Sequence, residues 1–494
     1  MVAACSPTRE PGALGERAAL SLPPELRAVV SAEKQSPERA AIVSPGHQPT
    51  VAQANLLRLN LSAAVNRALV ANRGVLASAD DVEGAKFALV AAESDFELKI
   101  VPATNVGFGG GTGKRNEPNY GVGIGLEQKT IYGAEIKVTP GIGRESTQYR
   151  SGIDSKITQP LLRGTDTDYV QSGVRGAEFA LRTTRRAEEL KRIDMVLVTI
   201  AAMYDIVRFR ELVRLFEASV DRLRGHAAAA EAMSNARIGS AVDLPRSRLQ
   251  LKQGEDQLAR ARQGLSDALD QLLQVLAYPQ GMRLDIEAPL SFDIFKVEER
   301  VAVDIALAER VELVQSADTL REAERGVRNA DHNTLPVFNI VGNYGRFGLA
   351  DNFGDSTDIR RSSFNVGLQS TTDLFRTKEK AEAQQARLRL RSAKRSQDQI
   401  REDIVQQVRR EVRGLARSGE SVEIQRQRIT EADGQLAVAR VRFQFGLASN
   451  FDVIDAEIQL LGAQTALLSS VIDTIIGTWR VKAAMGTLFE RPRS

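Results

Sequence analysis

The chain has 494 residues, 43% hydrophobic, 5% aromatic and 26% charged. So few aromatics, with long stretches of Ala, Leu, Arg, Gln and Glu, is the composition of long helices rather than of compact enzyme domains. The 66 Lys and Arg are interspersed with 63 Asp and Glu for a net charge of +3, which speaks against nucleic-acid binding, and one Cys with three His speaks against disulfides and zinc sites.

The chain opens Met1-Val2-Ala3-Ala4-Cys5-Ser6. An aliphatic residue, two small ones and Cys resemble a bacterial lipobox, so Cys5 is the candidate lipidation site, with a true start expected upstream. Residues 1–50 read as a lipid anchor and a linker rich in Pro, Ser, Glu and Arg. A first repeat is expected over 51–290. Leu61, Val65, Leu69 and Leu76 recur at helical spacing, continued by Ala85, Leu89 and Ala92, and Pro102 ends the pattern. Residues 98–160 alternate apolar residues with Gly and polar ones, the pattern of β-hairpins. Helical periodicity returns over 169–236, with Ile193, Val196, Ile200, Met203 and Val207 on one face, and again over 243–276.

A second repeat over 291–494 copies the scheme. Val303, Ala306, Leu307, Leu313 and Val314 make a first helix, and Pro336 ends it. A hairpin over 335–372 has Phe338, Ile340, Gly342 and Tyr344 on one strand and Phe364, Val366 and Leu368 on the other. Long helices over 378–443 and 451–488 follow. The landmarks come in the same order in both halves, the mark of an internal duplication. Helices of this length span roughly 100 Å and must bury an apolar stripe against other long helices. No run of 18 consecutive apolar residues occurs. A membrane crossing would therefore use strands.

No Ser/His/Asp set, metal cluster or cofactor motif appears, so neither a catalytic residue nor a metal ligand is assigned. Gly107 to Gly111 lacks the Gly-Lys-Ser/Thr ending of a phosphate loop. Ser449 before Asp452, and Ser240 before Asp243, have capping-box spacing at the start of a returning helix. Gly446 reads as the preceding turn.

The ordered set of the first helix Leu59 to Leu69, the Pro102 and Pro336 boundaries, Gln159-Pro160-Leu161-Leu162-Arg163-Gly164, Phe445 to Ala456 and the ending Ala483 to Leu488 resembles the TolC family of outer membrane efflux proteins. The resemblance runs from Leu57 to Leu488. It implies a mainly α homotrimer whose long antiparallel coiled-coil helices form a periplasmic α-barrel. Each chain would add four strands to a shared 12-stranded β-barrel in outer-membrane lipid. The implied partners are a periplasmic adaptor protein and an inner-membrane pump, with no nucleic acid and no chemistry of its own. The implied site residues are an acidic ring at the pore entrance, Asp452 and Asp455, and an adaptor-contacting tip of Ile238, Gly239, Asp243, Phe445, Gly446 and Leu447. Phe443 and Ala448 stand where the family has a Tyr and an Arg that hold the pore shut, and neither can donate a hydrogen bond. Either the gate is looser, or Arg237, Arg246 or Arg248 supplies the lock. Extra residues between Gly121 and Gly143 are expected as an enlarged strand pair or an external loop. The alternative, a soluble coiled-coil scaffold, leaves the Gly-rich alternating segments without a role.

Overall fold

The computed structural model describes residues 57–111, 114–145, 147–236, 242–291 and 295–489. Cys5 and the linker, Arg237, Ile238, Gly239 and Ser240 lie outside the described residues. The first half runs β1 (Leu57–Asn60), α1 (Leu61–Ala71), α2 (Arg73–Glu93), β2 (Lys99–Gly111), β3 (Lys114–Lys129), β4 (Glu135–Glu145), β5 (Gln148–Pro160), α3 (Thr167–Val170), α4 (Ser172–Asn235), α5 (Asp243–Val275) and β6 (Leu284–Glu287). The second runs α6 (Glu299–Glu309), α7 (Val311–Asn333), β7 (Phe338–Ala350), α8 (Phe353–Ser356), β8 (Arg361–Ser370), α9 (Thr377–Gln444) and α10 (Asn450–Ala484). Two compact units result, each drawing on both halves. One takes the residues up to Ala79, Ala187–Val311 and those from Arg401; the other takes Asp80–Arg186 and Glu312–Ile400.

In the first unit, β1 and β6 pair in parallel, with Leu59 opposite Ile286 and both buried. Asn60 caps α1, its Oδ1 accepting from Ala63 N–H at 2.8 Å. Four-residue spacing then sends two rows of α1 into two apolar clusters. Ala64 and Ala68 join Met203, Leu272 and Leu276 of α4 and α5. Val65 and Leu69 join Val196, Ile200, Ile472 and Ile475 of α4 and α10. Helix α10 is long and apolar enough by composition to cross a bilayer. Its apolar residues are instead spent on this packing, as expected of the core helix of a bundle.

The first helix is not continuous. Asn72 adopts an extended ψ of 128°, ends α1 and starts α2 by accepting from Gly74 N–H at 2.8 Å. Its Nδ2 donates at 2.8 Å to the carbonyl of Val275, the last residue of α5. The second half repeats the device: Arg310, with ψ of 126°, separates α6 from α7. Its guanidinium donates at 3.3 Å to the carbonyl of Ala484, the last residue of α10. Each break thus satisfies an orphan carbonyl at the end of its own returning helix.

The second unit holds an antiparallel sheet of six strands in the order β2-β3-β4-β5-β7-β8. This corrects the expected four strands per chain. The residues between Gly121 and Gly143 are the facing halves of β3 and β4, paired within the sheet except at Ile124–Gly125 and Thr139–Pro140, with the turn that joins them. Gly133, at the turn between them, has φ of 80°, and a Cβ there would lie 2.1 Å from the carbonyl of Gly164. Below the sheet, Asp318 of α7 binds Arg186 of α4 at 2.5 Å and Arg321 at 2.8 Å.

Candidate functional site

Two regions are candidates for function, and each lies within one unit. The first is the sheet. In antiparallel pairing, residues directly opposite share a face. The registers place Ile100, Pro102, Val106 and Phe108 of β2 in line with Tyr120, Val122, Ile124 and Leu126 of β3. The same face continues through Ile136, Val138 and Ile142 of β4 and Ile153 and Ile157 of β5. It ends on Ile340 and Tyr344 of β7 and Phe364, Val366 and Leu368 of β8. Most of these side chains are exposed; Phe364 is 86% exposed and Val106 84%. Six strands therefore present one mainly apolar face, interrupted by Thr104, Ser151, Ser155 and Arg346, with no protein covering most of it.

The opposite face is polar and glycine-rich: Asn105, Gly121, Gly123, Thr139, Gly141, Gly143, Asp154, Lys156, Asn343, Ser363, Asn365 and Gln369. Gly121 lies opposite Gly143, and Gly123 opposite Gly141. A Cβ on Gly143 would come within 2.8 Å of the Tyr120 carbonyl. A Cβ on Gly123 or Gly141 would likewise lie 3.1 or 3.2 Å from a carbonyl oxygen of the neighbouring strand. Arg150 and Asp154 form a two-bonded ion pair on this face at 2.7 and 2.8 Å. Aromatic side chains mark one end of the apolar face, with Tyr120 Oη donating to Tyr149 Oη at 2.9 Å and Phe353 edge-on to Tyr149. At the other end the connectors into the long helices expose Leu161-Leu162 and Leu374-Phe375.

The second region is the turn between α9 and α10. Gly446 N–H donates to the Phe443 carbonyl and Leu447 N–H to the Arg442 carbonyl, with Gly446 at φ of 67°. This is a Schellman turn, which leaves Phe445 and Leu447 75% and 78% exposed. Ser449 and Asp452 form a full capping box: Asp452 N–H donates to Ser449 Oγ, and Ser449 N–H donates at 2.7 Å to Asp452 Oδ2. Asp452 and Asp455 are both exposed. The first half departs from this scheme. Val242 precedes α5 without a side-chain cap, and Asp243 is its first helical residue. Residues 237–241 of the first turn lie outside the described residues; where α5 begins, its start differs from that of α10.

Phe443 is half-buried against Leu436, Val453 and Ala456, so it packs where a hydrogen-bonding Tyr was the family pattern. Of the three arginines expected to lock the tip, Arg248 pairs with Glu231 and Arg246 lies over the Phe451 ring at 5.3 Å. Arg237 lies outside the described residues. The polar contacts joining the two helical hairpins come from residues the sequence reading did not single out. Glu457 of α10 is 6% exposed and accepts from Arg440 of α9 at 2.8 Å. Arg222 Nε and His226 Nε2 of α4 lie 3.5 and 3.4 Å from its other oxygen. Burial opposes its ionisation, but the His226 and Arg440 hydrogen bonds and the charges of His226 and Arg222 outweigh it and hold the carboxyl below the usual range. Asn450, buried at the start of α10, completes the set by contacting His226 and Ser247 of α5. The available signal was an acid at a core position among Val453, Ile454, Ala456 and Leu461.

A family model described as outer membrane efflux protein matches residues 302–486. Outer membrane protein TolC of Salmonella enteritidis is 22% identical over 371 residues, covering 71% of this chain and 74% of that protein. TolC of Escherichia coli (strain K12) is 21% identical over 376 residues, covering 71% and 75%. Among solved structures, CusC aligns with a TM-score of 0.69 at 13% identity over 92% of this chain and 99% of that one. The Campylobacter jejuni CmeC outer membrane channel aligns with a TM-score of 0.68 at 13% identity, covering 88% and 87%. On these matches residues 302–486 carry the pattern of the outer membrane efflux protein family, and the chain has the fold of solved outer membrane channels.

Proposed function

We propose that the chain is the outer-membrane conduit of a three-part export system, passive in itself and opened by a periplasmic adaptor and an inner-membrane pump. The mainly apolar face of the six-stranded sheet carries this reading, because an exposed face of this kind suits lipid and the opposite, mainly polar face suits a water-filled lumen. Strands of 10 to 16 residues suffice to cross a bilayer of about 30 Å. The chain is placed in the outer membrane, with its long helices extending into the periplasm. Three copies would join edge to edge, β8 of one pairing with β2 of the next. An even number of strands keeps every pair antiparallel around the ring. Six strands from each of three chains make a barrel of 18, not the 12 that four strands would give.

In this assembly Asp452 and Asp455 form the acidic ring at the periplasmic entrance, favouring cations. Ile238, Gly239, Asp243, Phe445, Gly446 and Leu447 are the adaptor-contacting tip; the exposed Phe445 and Leu447 suit an apolar partner groove. Cys5 is the acylation site, and residues 51–290 and 291–494 are the two duplicated units. A soluble coiled-coil scaffold does not account for an apolar face on six strands. Electron microscopy of the full chain extracted from outer membranes in detergent tests the proposal. A three-fold particle with 18 strands in the detergent belt is expected. A particle that stays monodisperse without detergent would overturn the reading.

A further inference from the structure

We propose that His226 is the proton-sensitive pin of a latch that clamps the hairpin α4/α5 to the hairpin α9/α10 close to the α9–α10 turn. The proposal rests on the conduit reading, since only a channel needs these hairpins to part. Its basis is the hydrogen-bond count around one buried amide. Asn450 Nδ2 donates at 3.2 Å to the His226 backbone carbonyl, which can only accept, and at 3.2 Å to Ser247 Oγ. Those two bonds fix the amide so that Oδ1 faces His226 Nδ1 at 2.9 Å. An amide oxygen accepts, so Nδ1 carries a proton. On the other side of the ring, Nε2 faces Glu457 Oε2 at 3.4 Å, and a carboxylate also accepts. Both contacts together require the imidazolium; a neutral ring keeps one and loses the other.

The charges facing the ring come from three helices. Glu457 of α10 faces Nε2. Arg222, one turn away on α4, and Arg440 of α9 share that carboxylate. Asn450 and Ser247, from α10 and α5, add only neutral dipoles. When the ring loses its proton, the arginines still hold Glu457. The latch therefore loosens rather than leaving a bare buried charge. Burying an ionised group at a core position of α10 is not the most stable choice, and such groups serve registry or switching where they persist. The location fits that use, because Asn450 is the first residue of α10 after the turn.

The full chain, purified in detergent and inserted in planar bilayers, would be compared at about pH 5 and about pH 8, the interval in which histidine changes charge. Conductance is expected to rise about tenfold with pH, the scale of losing one hydrogen bond to a charged group. His226→Gln should conduct more at the lower pH and show no pH response. A wild-type pH response retained in His226→Gln overturns the proposal. Should that variant fail to fold, spin labels at the exposed Leu249 of α5 and Gln459 of α10 in the otherwise unaltered chain give a second reading. Their separation should lengthen or broaden from the lower to the higher pH; an unchanged distribution overturns the latch. Absence of conductance at every pH would sink the conduit reading instead, and the label distances would still decide whether the hairpins are latched.

Discussion

Asp318 shows how a single carboxylate is kept charged inside a helix pair. Burial raises its pKa, but the Arg186 hydrogen bond and the charges of Arg186, Arg182 and Arg321 outweigh burial and leave it below the ordinary 3.8. A depressed folded pKa contributes stability that is present above the ordinary value and lost as pH falls through the folded one. Asp318→Asn should therefore lower stability at neutral pH by about 2–3 kcal/mol, since it leaves the half-buried Arg186 without its anion. Melting curves should converge with those of the unaltered chain as pH falls from 3.8 through the lowered folded value; a gap that persists below it would mean that packing, not charge, is at stake. Ala277 offers the opposite case. It ends α5 in a Schellman turn with φ of 53°, a conformation costly for any residue with a Cβ. The matching turn after α10 uses Gly486 at φ of 75°. Ala277→Gly should stabilise the fold by roughly 0.5–1 kcal/mol, the strain relieved less the chain entropy that Gly adds. A lower melting temperature would refute this.

Strands and helices differ in how much of them could be read beforehand. On β8 the alternation Phe364, Val366, Leu368 was legible because every second residue is large and apolar. The prediction that follows is face-specific. Val366→Arg should cost about 2–4 kcal/mol in a lipid-inserted barrel, whereas Asn365→Arg, on the polar face, should cost far less. Refolding into liposomes from urea measures both, and equal penalties would mean that the faces are misassigned. The count of strands was not legible. In β3 and β4 the polar face is built largely of Gly121, Gly123, Gly141 and Gly143, so hydropathy contrast is weak, and the pairing that makes them strands is visible only in register. The helix breaks were invisible for a different reason. Asn72 and Arg310 are ordinary surface residues in an unbroken helical periodicity, and what stops the helix is a distant carbonyl that each must reach. The capping box Ser449–Asp452 was readable because its partners are three residues apart; the cluster around Glu457 was not, because its members come from four helices.

In the whole molecule the proposed duplication would set the plan, and the unequal strand number of the two halves modifies it. The second half contributes β7 and β8, the first half β2 to β5. In the proposed trimer the additional pair would enlarge the barrel without adding helices, so a membrane pore would not need to match the helical tunnel in width. Strand number and diameter are linked nearly linearly. Removing the hairpin Lys99–Lys129 leaves β4, β5, β7 and β8, which retain the shared apolar face from Ile136 to Leu368 and an even strand count. Three such chains should close a 12-stranded barrel with about two-thirds of the original diameter, hence less than about half the cross-section. The expected result is a trimer that still inserts in detergent, with a smaller lumen by electron microscopy. Its conductance falls only if the barrel, rather than the latched tips, limits flow. Pairing the deletion with His226→Gln separates the two. If the tips are limiting, the deletion alone changes little and the double variant falls below His226→Gln alone. A deleted chain that cannot assemble would mean that the edge of β2, not β4, is the surface on which the next copy docks.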